Sequence, residues 1–283
     1  MLRSHRLRAL LPEPERLRLD AYTEAGESSA SAVFRGDAEG IAAAYAVGYW
    51  LHEHYFRVRS TGHEHLRLGG AAVLVANHSG VLPFDAVMLC TDVFRYTDPP
   101  RLVHYMVDYF AFRIPFIGTF FRALGQVPGT RRNFDGMVGD GHFVGVFPEG
   151  AKALGKPARE RYTLYPFTRG HAELAARHAV PVIPAGIVGA EEQQTMVADF
   201  RPLARALRLP YFPITTTFPV LGPLGLLPKP VRYYVQYGTP IEVDPLAATN
   251  METRVREVER IRQAVRNQVQ RGLAWRRDER GSR

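Results

Sequence analysis

The chain has 283 residues and a formal net charge of +8, carried by 33 Arg and 3 Lys against 28 acids. With 46% hydrophobic and 23% charged residues it can bury a sizeable core, which excludes an extended disordered chain. One cysteine, Cys90, excludes an intramolecular disulfide and any multi-cysteine metal site. No apolar run offers the ~20 helix-compatible residues that span a bilayer. The positive balance asks for an anionic partner: nucleic acid, an acidic membrane surface or a phosphate-bearing substrate.

Residues 1–36 are polar and Ser-rich, without a signal-peptide pattern, and are expected to form a loosely ordered leader. Residues 37–283 are expected to form a single domain. Asp37 is a candidate N-cap for an apolar helix over 40–56, rich in Tyr and Trp. That helix either packs as an ordinary buried element or lies at a membrane interface. Arg57-Val58-Arg59 reads as a short strand, and Gly62 as a turn. On a helix His52–His54 cannot easily chelate a metal, and His63–His65 could do so on a strand but has no third ligand suggested nearby; both read as solvated polar residues and no metal site is expected.

The run Ala72–Ala76 reads as a buried strand that delivers Asn77-His78-Ser79-Gly80 to its carboxyl end, where ligands sit in open α/β sheets. Asp85 follows after six intervening residues and opens a helical run. Taken alone, His78 and Asp85 are equally well read as caps of a turn and a helix. Cys90 reads as a small buried hydrophobe.

Val103, Tyr105 and Val107 alternate as on a strand, and Phe110–Leu124 has helical spacing up to a stop at Gly125. Arg131 and Arg132 lie in the turn beyond it. Val144–Phe147 is a further strand, ending in Pro148-Glu149-Gly150-Ala151-Lys152. Tyr165–Ala179 reads as a helix and Val180–Val188 as a buried strand. This alternation over 72–190 predicts an α/β fold with a mainly parallel, mixed sheet flanked by helices.

Leu209–Pro228 is twenty residues without a charge and contains five prolines, which exclude a regular helix. It either packs over the core or meets lipid. Val231–Tyr237 alternates like an edge strand. A capping box at Thr249 and Glu252 opens a C-terminal amphipathic helix with Arg on its outer face. That face could draw the chain to anionic lipid. Nucleic acid is not expected, because clustered Lys and a stacking-aromatic motif are both missing.

Four blocks in order over 77–188 resemble the glycerophospholipid (lysophosphatidic acid) acyltransferase superfamily. Asn77-His78-Ser79 with Asp85 is similar to its catalytic block. Gly125-Gln126-Val127 with Arg131 is similar to the block whose Arg contacts the acceptor's phosphate. Phe147-Pro148-Glu149-Gly150 and Val182-Ile183-Pro184 are similar to the third and fourth blocks. Phe56–Val58 and Gly238–Ile241 also look like family features.

The resemblance implies a peripheral enzyme on the inner, cytoplasmic face of a membrane. It would move an acyl group from acyl-CoA or acyl-carrier protein to a glycerolipid or lysophospholipid hydroxyl, without a cofactor. His78 would be the general base and Asp85 its orienting partner. Arg131, Glu149, Gly150, Lys152 and Gly125 would bind substrate. This sequence departs from the family at two points. Six residues rather than the usual four separate His78 from Asp85. Ala151-Lys152-Ala153 stands where Thr-Arg-Ser is usual, which leaves lysophosphatidic acid, neutral glycerides and glycolipids open as acceptors.

An imidazole, titrating near pH ~6.5 when free, suits proton removal from an alcohol at neutral pH. Ser79 lacks the Gly-x-Ser-x-Gly setting of a nucleophile and reads as a loop residue. The same fold with water as acceptor would be a thioesterase or lipase, and a broken site would leave a lipid-binding module.

Overall fold

The computed structural model describes residues 7–27, 36–113, 117–206 and 211–282. Seven strands form one sheet in the order β1-β9-β6-β2-β5-β3-β4. These are β1 Arg59–Thr61, β2 Ala72–Ala76, β3 Val103–Val107, β4 Val127–Pro128, β5 Phe143–Val146, β6 Val182–Val188 and β9 Tyr234–Tyr237. A separate antiparallel ribbon pairs β7 Met196–Asp199 with β8 Pro213–Thr215. β2 sits mid-sheet, parallel to both β5 and β6. Only β9 and β1, parallel to each other, run against the rest. The mainly parallel, mixed α/β sheet expected from the alternation is present.

Both faces of β2 are covered, which is why its five residues read as one apolar run. Val73 and Val75 face a core built with α6 Arg131–Gly139, α7 Gly170–His178 and the C-terminal helix α10 Met251–Gly281. Ala72, Leu74 and Ala76 face the opposite core, which holds Met88, Leu89 and Val93 of α3 Phe84–Tyr96. The alternation of period two thus assigns α3 to one face and α6, α7 and α10 to the other. α10 crosses β6 so closely at Gly186 that a Cβ there would lie 2.4 Å from the Val269 nitrogen.

Several local expectations are corrected. Glu13–Glu27 forms a helix, α1, whose Leu19 is buried with Leu11, Tyr45 and Phe94, so part of the expected leader is docked. Residues 1–6 and 28–35 lie outside the described residues. The Asp37 cap is present, its carboxylate accepting from the Gly40 amide at 3.1 Å, and it opens α2, Ala38–Trp50. A π-helical turn, Leu51–Tyr55, extends α2, and no helix among the described residues is long and apolar enough to cross a membrane.

His52 is not solvated. Its Nε2 meets the fully buried Asp92 at 2.9 Å, and Ser60 and Tyr237 donate to the same carboxylate. The strand expected at Arg57 begins at Arg59, because Arg57 takes a left-handed φ of 49°. Phe110–Leu124 is two helices, α4 Tyr109–Arg113 and α5 Ile117–Ala123, with 114–116 outside the described residues. α7 starts at Gly170 rather than Tyr165. The strand at Tyr234–Tyr237 is internal rather than an edge, since β1 covers its outer side. Its alternation reflects different neighbours on the two faces, which an edge strand shares. The capping residue of α10 is Asn250, accepting from Thr253, not Thr249.

Candidate active site

β2 ends at Ala76, and the next three residues form the floor of the site. Asn77 is clamped to β6 by two bonds: its amide donates to the Ile187 carbonyl at 2.9 Å and accepts from the Ile187 amide at 2.7 Å. These continue the β2–β6 ladder by one side chain and hold the strand end rigid. His78 follows on the α3 side of the sheet.

The six-residue spacing is absorbed by a pinned loop. Gly80 takes φ of 87°, and a Cβ there would lie 2.2 Å from the Gln193 amide nitrogen. Tyr211 donates to the Val81 carbonyl, and Gln193 donates to the Leu82 carbonyl at 3.1 Å. Tyr233 in turn donates to Gln193. The chain then enters α3 with Asp85 in its first turn.

Asp85 Oδ2 lies 2.7 Å from His78 Nδ1 and accepts from the Ser79 amide at 2.8 Å, while Oδ1 accepts from the Ala86 amide at 2.8 Å. The carboxylate is fully buried and sits at a helix N-terminus, where backbone donors and the helix dipole favour negative charge. It fixes the imidazole with Nδ1 as donor, so Nε2 is the proton-accepting nitrogen. Among the described residues Nε2 has no hydrogen-bond partner. His78 keeps 8% exposure, and its ring stacks on Phe147 with centroids 4.2 Å apart. Ser79 is completely buried and its hydroxyl has no partner, so it cannot meet a substrate as nucleophile.

Glu149 acts as a strut. One carboxylate oxygen accepts from the His78 amide at 3.0 Å, and the other accepts from the Tyr165 amide and pairs with Lys156 Nζ at 2.7 Å. Both oxygens have partners inside the protein. Gly150 makes this inward turn with φ of 70°.

Lys152 is exposed on the following 3-10 turn and stands outside the cluster. The cation at the site is Lys156, which the sequence reading missed. Its side chain is 3% exposed, and Nζ also approaches the His78 carbonyl at 3.4 Å. No motif marks it. Arg131 lies on the other face of the sheet, its guanidinium held by both oxygens of Glu173, which also pairs with Arg177 and Arg254. Gly125 ends α5 with φ of 67°, and its carbonyl meets His104 Nδ1 at 3.0 Å. The structure thus brings together His78, Asp85 and Glu149, but neither Arg131, Lys152 nor Gly125 contacts them.

Glu191 completes the buried cluster, its Oε1 3.8 Å from Lys156 Nζ. Burial pushes its pKa up to about 7, although Lys156 and the Tyr162 amide oppose the shift. A carboxyl raised in the fold holds a proton that the unfolded chain, titrating near ~4.3, has released. Its contribution is therefore fully present below that value and lost as pH rises through about 7. Glu191→Gln removes this dependence. The melting temperature of E191Q minus that of wild type is expected to increase from pH 5 to pH 8; a flat difference would contradict it.

Residues 57–188 match the Acyltransferase family, spanning β1 to β6 and including the His78 loop and the Glu149 turn. Over these residues, a little under half of its length, the chain is similar to the Acyltransferase family. It is 37% identical to an uncharacterized protein of Mycobacterium tuberculosis over 228 residues, 79% of this chain and 64% of that protein. It therefore spans somewhat under two thirds of the length of this relative. It is also 25% identical to the human protein named "DGAT1/2-independent enzyme synthesizing storage lipids", over 65% of this chain and 53% of that one. Among solved structures it resembles the 1-acyl-sn-glycerophosphate acyltransferase PlsC of Thermotoga maritima, with TM-score 0.50 and 17% identity, covering 92% of this chain and 83% of that one. At that identity the likeness concerns the fold.

Proposed function

We propose that this acyltransferase moves a fatty acyl group from a thioester, acyl-CoA or acyl-carrier protein, to the hydroxyl of a glycerolipid at the inner face of a membrane. The observation that carries the reading is the 2.7 Å contact of His78 Nδ1 with buried Asp85, with Nε2 left open. The acceptor hydroxyl gives its proton to Nε2 as its oxygen attacks the thioester carbonyl. Asp85 stabilises the imidazolium that forms. Collapse of the tetrahedral adduct breaks the C–S bond, and the imidazolium returns the proton to the leaving thiolate. The alcohol itself is the nucleophile, so no acyl-enzyme is needed.

The acceptor favoured by the charges is a neutral glyceride. The resemblance's phosphate-contacting Arg131 lies on the other face of the sheet, held by Glu173, and Lys156, the cation nearest His78, is neutralised by Glu149. A phosphate beside His78 would have to draw Lys156 away from Glu149 to find a cation, whereas an uncharged headgroup would not. The similarity to a human protein named for storage-lipid synthesis supports the same direction.

The test offers labelled acyl-CoA with monoacylglycerol, diacylglycerol or lysophosphatidic acid. Transfer to a neutral glyceride is expected to exceed transfer to lysophosphatidic acid by at least roughly tenfold, the equivalent of one lost charge pair. A preference for lysophosphatidic acid overturns the acceptor assignment. Acceptor-independent release of fatty acid at the transfer rate would make the enzyme a thioesterase instead.

A further inference from the structure

The charge-free, proline-rich stretch near residue 220 has an unusual surface. Gly222–Leu226 forms a 3-10 helix flanked by Leu221 and Leu227. Such a helix has three residues per turn, so side chains three apart eclipse one another. Leu221, Leu224 and Leu227 therefore stand in one column, at 57%, 70% and 63% exposure, with Val220 at its tip at 87%. Each leucine leaves most of its surface to solvent, and together they form a ridge rather than scattered apolar residues.

The ridge is held firmly from behind. Gln194 donates to the Leu226 carbonyl, Thr217 donates to the Gly225 carbonyl at 2.8 Å, and the Lys229 amide donates to the Gln193 carbonyl at 2.8 Å. Gln193 is the same residue that pins the loop beyond His78. On the other flank, Tyr55 donates to the Pro228 carbonyl and stacks on Trp50, itself 53% exposed. An exposed Trp beside a leucine column is the pattern of an interfacial anchor.

The exposed charges at the foot of the ridge are positive. Lys229 is exposed just beyond the ridge, Arg57 is exposed and donates to the Pro230 carbonyl, and the stretch from Phe200 to Val231 contains no acid. The Arg-rich C-terminal helix is a weaker attractor than its composition suggests. Arg254, Arg256, Arg260, Arg262 and Arg276 each pair with a carboxylate.

We propose that the Val220–Leu227 ridge, with Trp50 at its flank, is the surface by which this protein docks on an anionic lipid bilayer. Its occupant is lipid rather than another protein because the exposed cations at its foot, Lys229 and Arg57, suit anionic headgroups, and the exposed Trp50 suits the interface above them. The proposal rests on the lipid-directed reading of the site but is measured without turnover.

Binding is followed by co-sedimentation with phosphatidylcholine vesicles containing phosphatidylglycerol, alongside phosphatidylcholine alone. Trp50 emission is read in a Trp275→Phe background. Wild type is expected to bind the anionic vesicles with a blue shift of Trp50, and to retain part of that binding in high salt, which screens only the cations. The variant Leu221→Ser/Leu224→Ser/Leu227→Ser is expected to lose affinity by about 10²-fold, since three inserted leucines return to water. Its melting temperature and its rate on water-soluble short-chain substrates should match wild type.

Undiminished vesicle binding by the triple variant, or no binding by wild type, overturns the proposal. A wild-type dimer that the substitutions dissociate, without any change in vesicle binding, would do so too by assigning the ridge to a second copy. Ridge-dependent vesicle binding in a protein that transfers no acyl group to any acceptor would instead overturn the proposed activity and leave the docking surface standing.

Discussion

His78→Ala is expected to reduce kcat/KM for acyl transfer by about 10³-fold or more, while the melting temperature changes little. General-base assistance contributes roughly 10²–10⁴, and the step has no alternative proton acceptor of suitable geometry among the described residues. Stability should survive because Asp85 keeps two backbone donors, Ser79 and Ala86, when the imidazole is removed. Asp85→Asn separates orientation from proton transfer. An Asn amide that donates to Nδ1 would place the proton on Nε2, the nitrogen that must accept one. A loss approaching that of His78→Ala is expected, with KM nearly constant, because the substrate does not touch Asp85. Full activity in His78→Ala would remove the mechanism altogether. Full activity in Asp85→Asn would show that the 2.7 Å contact serves packing alone.

Lys156→Met is expected to destabilise the protein by about 3–5 kcal/mol, the usual cost of stranding one partner of a buried ion pair. Lys156 and Glu149 are 3% and 0% exposed at their side chains and 2.7 Å apart, so water cannot replace the lost partner. The same change should also lower activity, because Glu149 holds the His78 amide and Lys156 approaches the His78 carbonyl. The double variant Lys156→Met/Glu149→Gln distinguishes pairing from packing. It should recover much of the lost stability in urea unfolding, since no charge is then left unpaired. Equal losses in the single and double variants would mean that the pair contributes nothing as a pair.

What could be read directly from the residues was local. β2 and β6 are unbroken apolar runs because both sheet faces are covered, and a run of that kind is visible without knowing what covers it. His78 and Asp85 are close in sequence, so a loop of modest length suffices to join them. The Asp37 cap and the left-handed glycines at Gly62 and Gly125 follow from rules spanning three or four residues.

The tertiary structure decided everything that depended on distant pairing. The alternation in Tyr234–Tyr237 is the same for an edge strand and an internal one, and only the pairing with β1 makes β9 internal. A polar leader gives no sign that Leu11 and Leu19 will bury against Phe94. Arg131 stands at the expected block, yet Glu173, forty-two residues away, claims its guanidinium. Lys152 and Lys156 have the same chemistry four residues apart, but the turn after Gly150 sends one into solvent and the other beneath His78. Sequence determined which residue types could do the chemistry. Folding decided which carboxylate meets which cation, because electrostatic partners are fixed by distance in space and not along the chain.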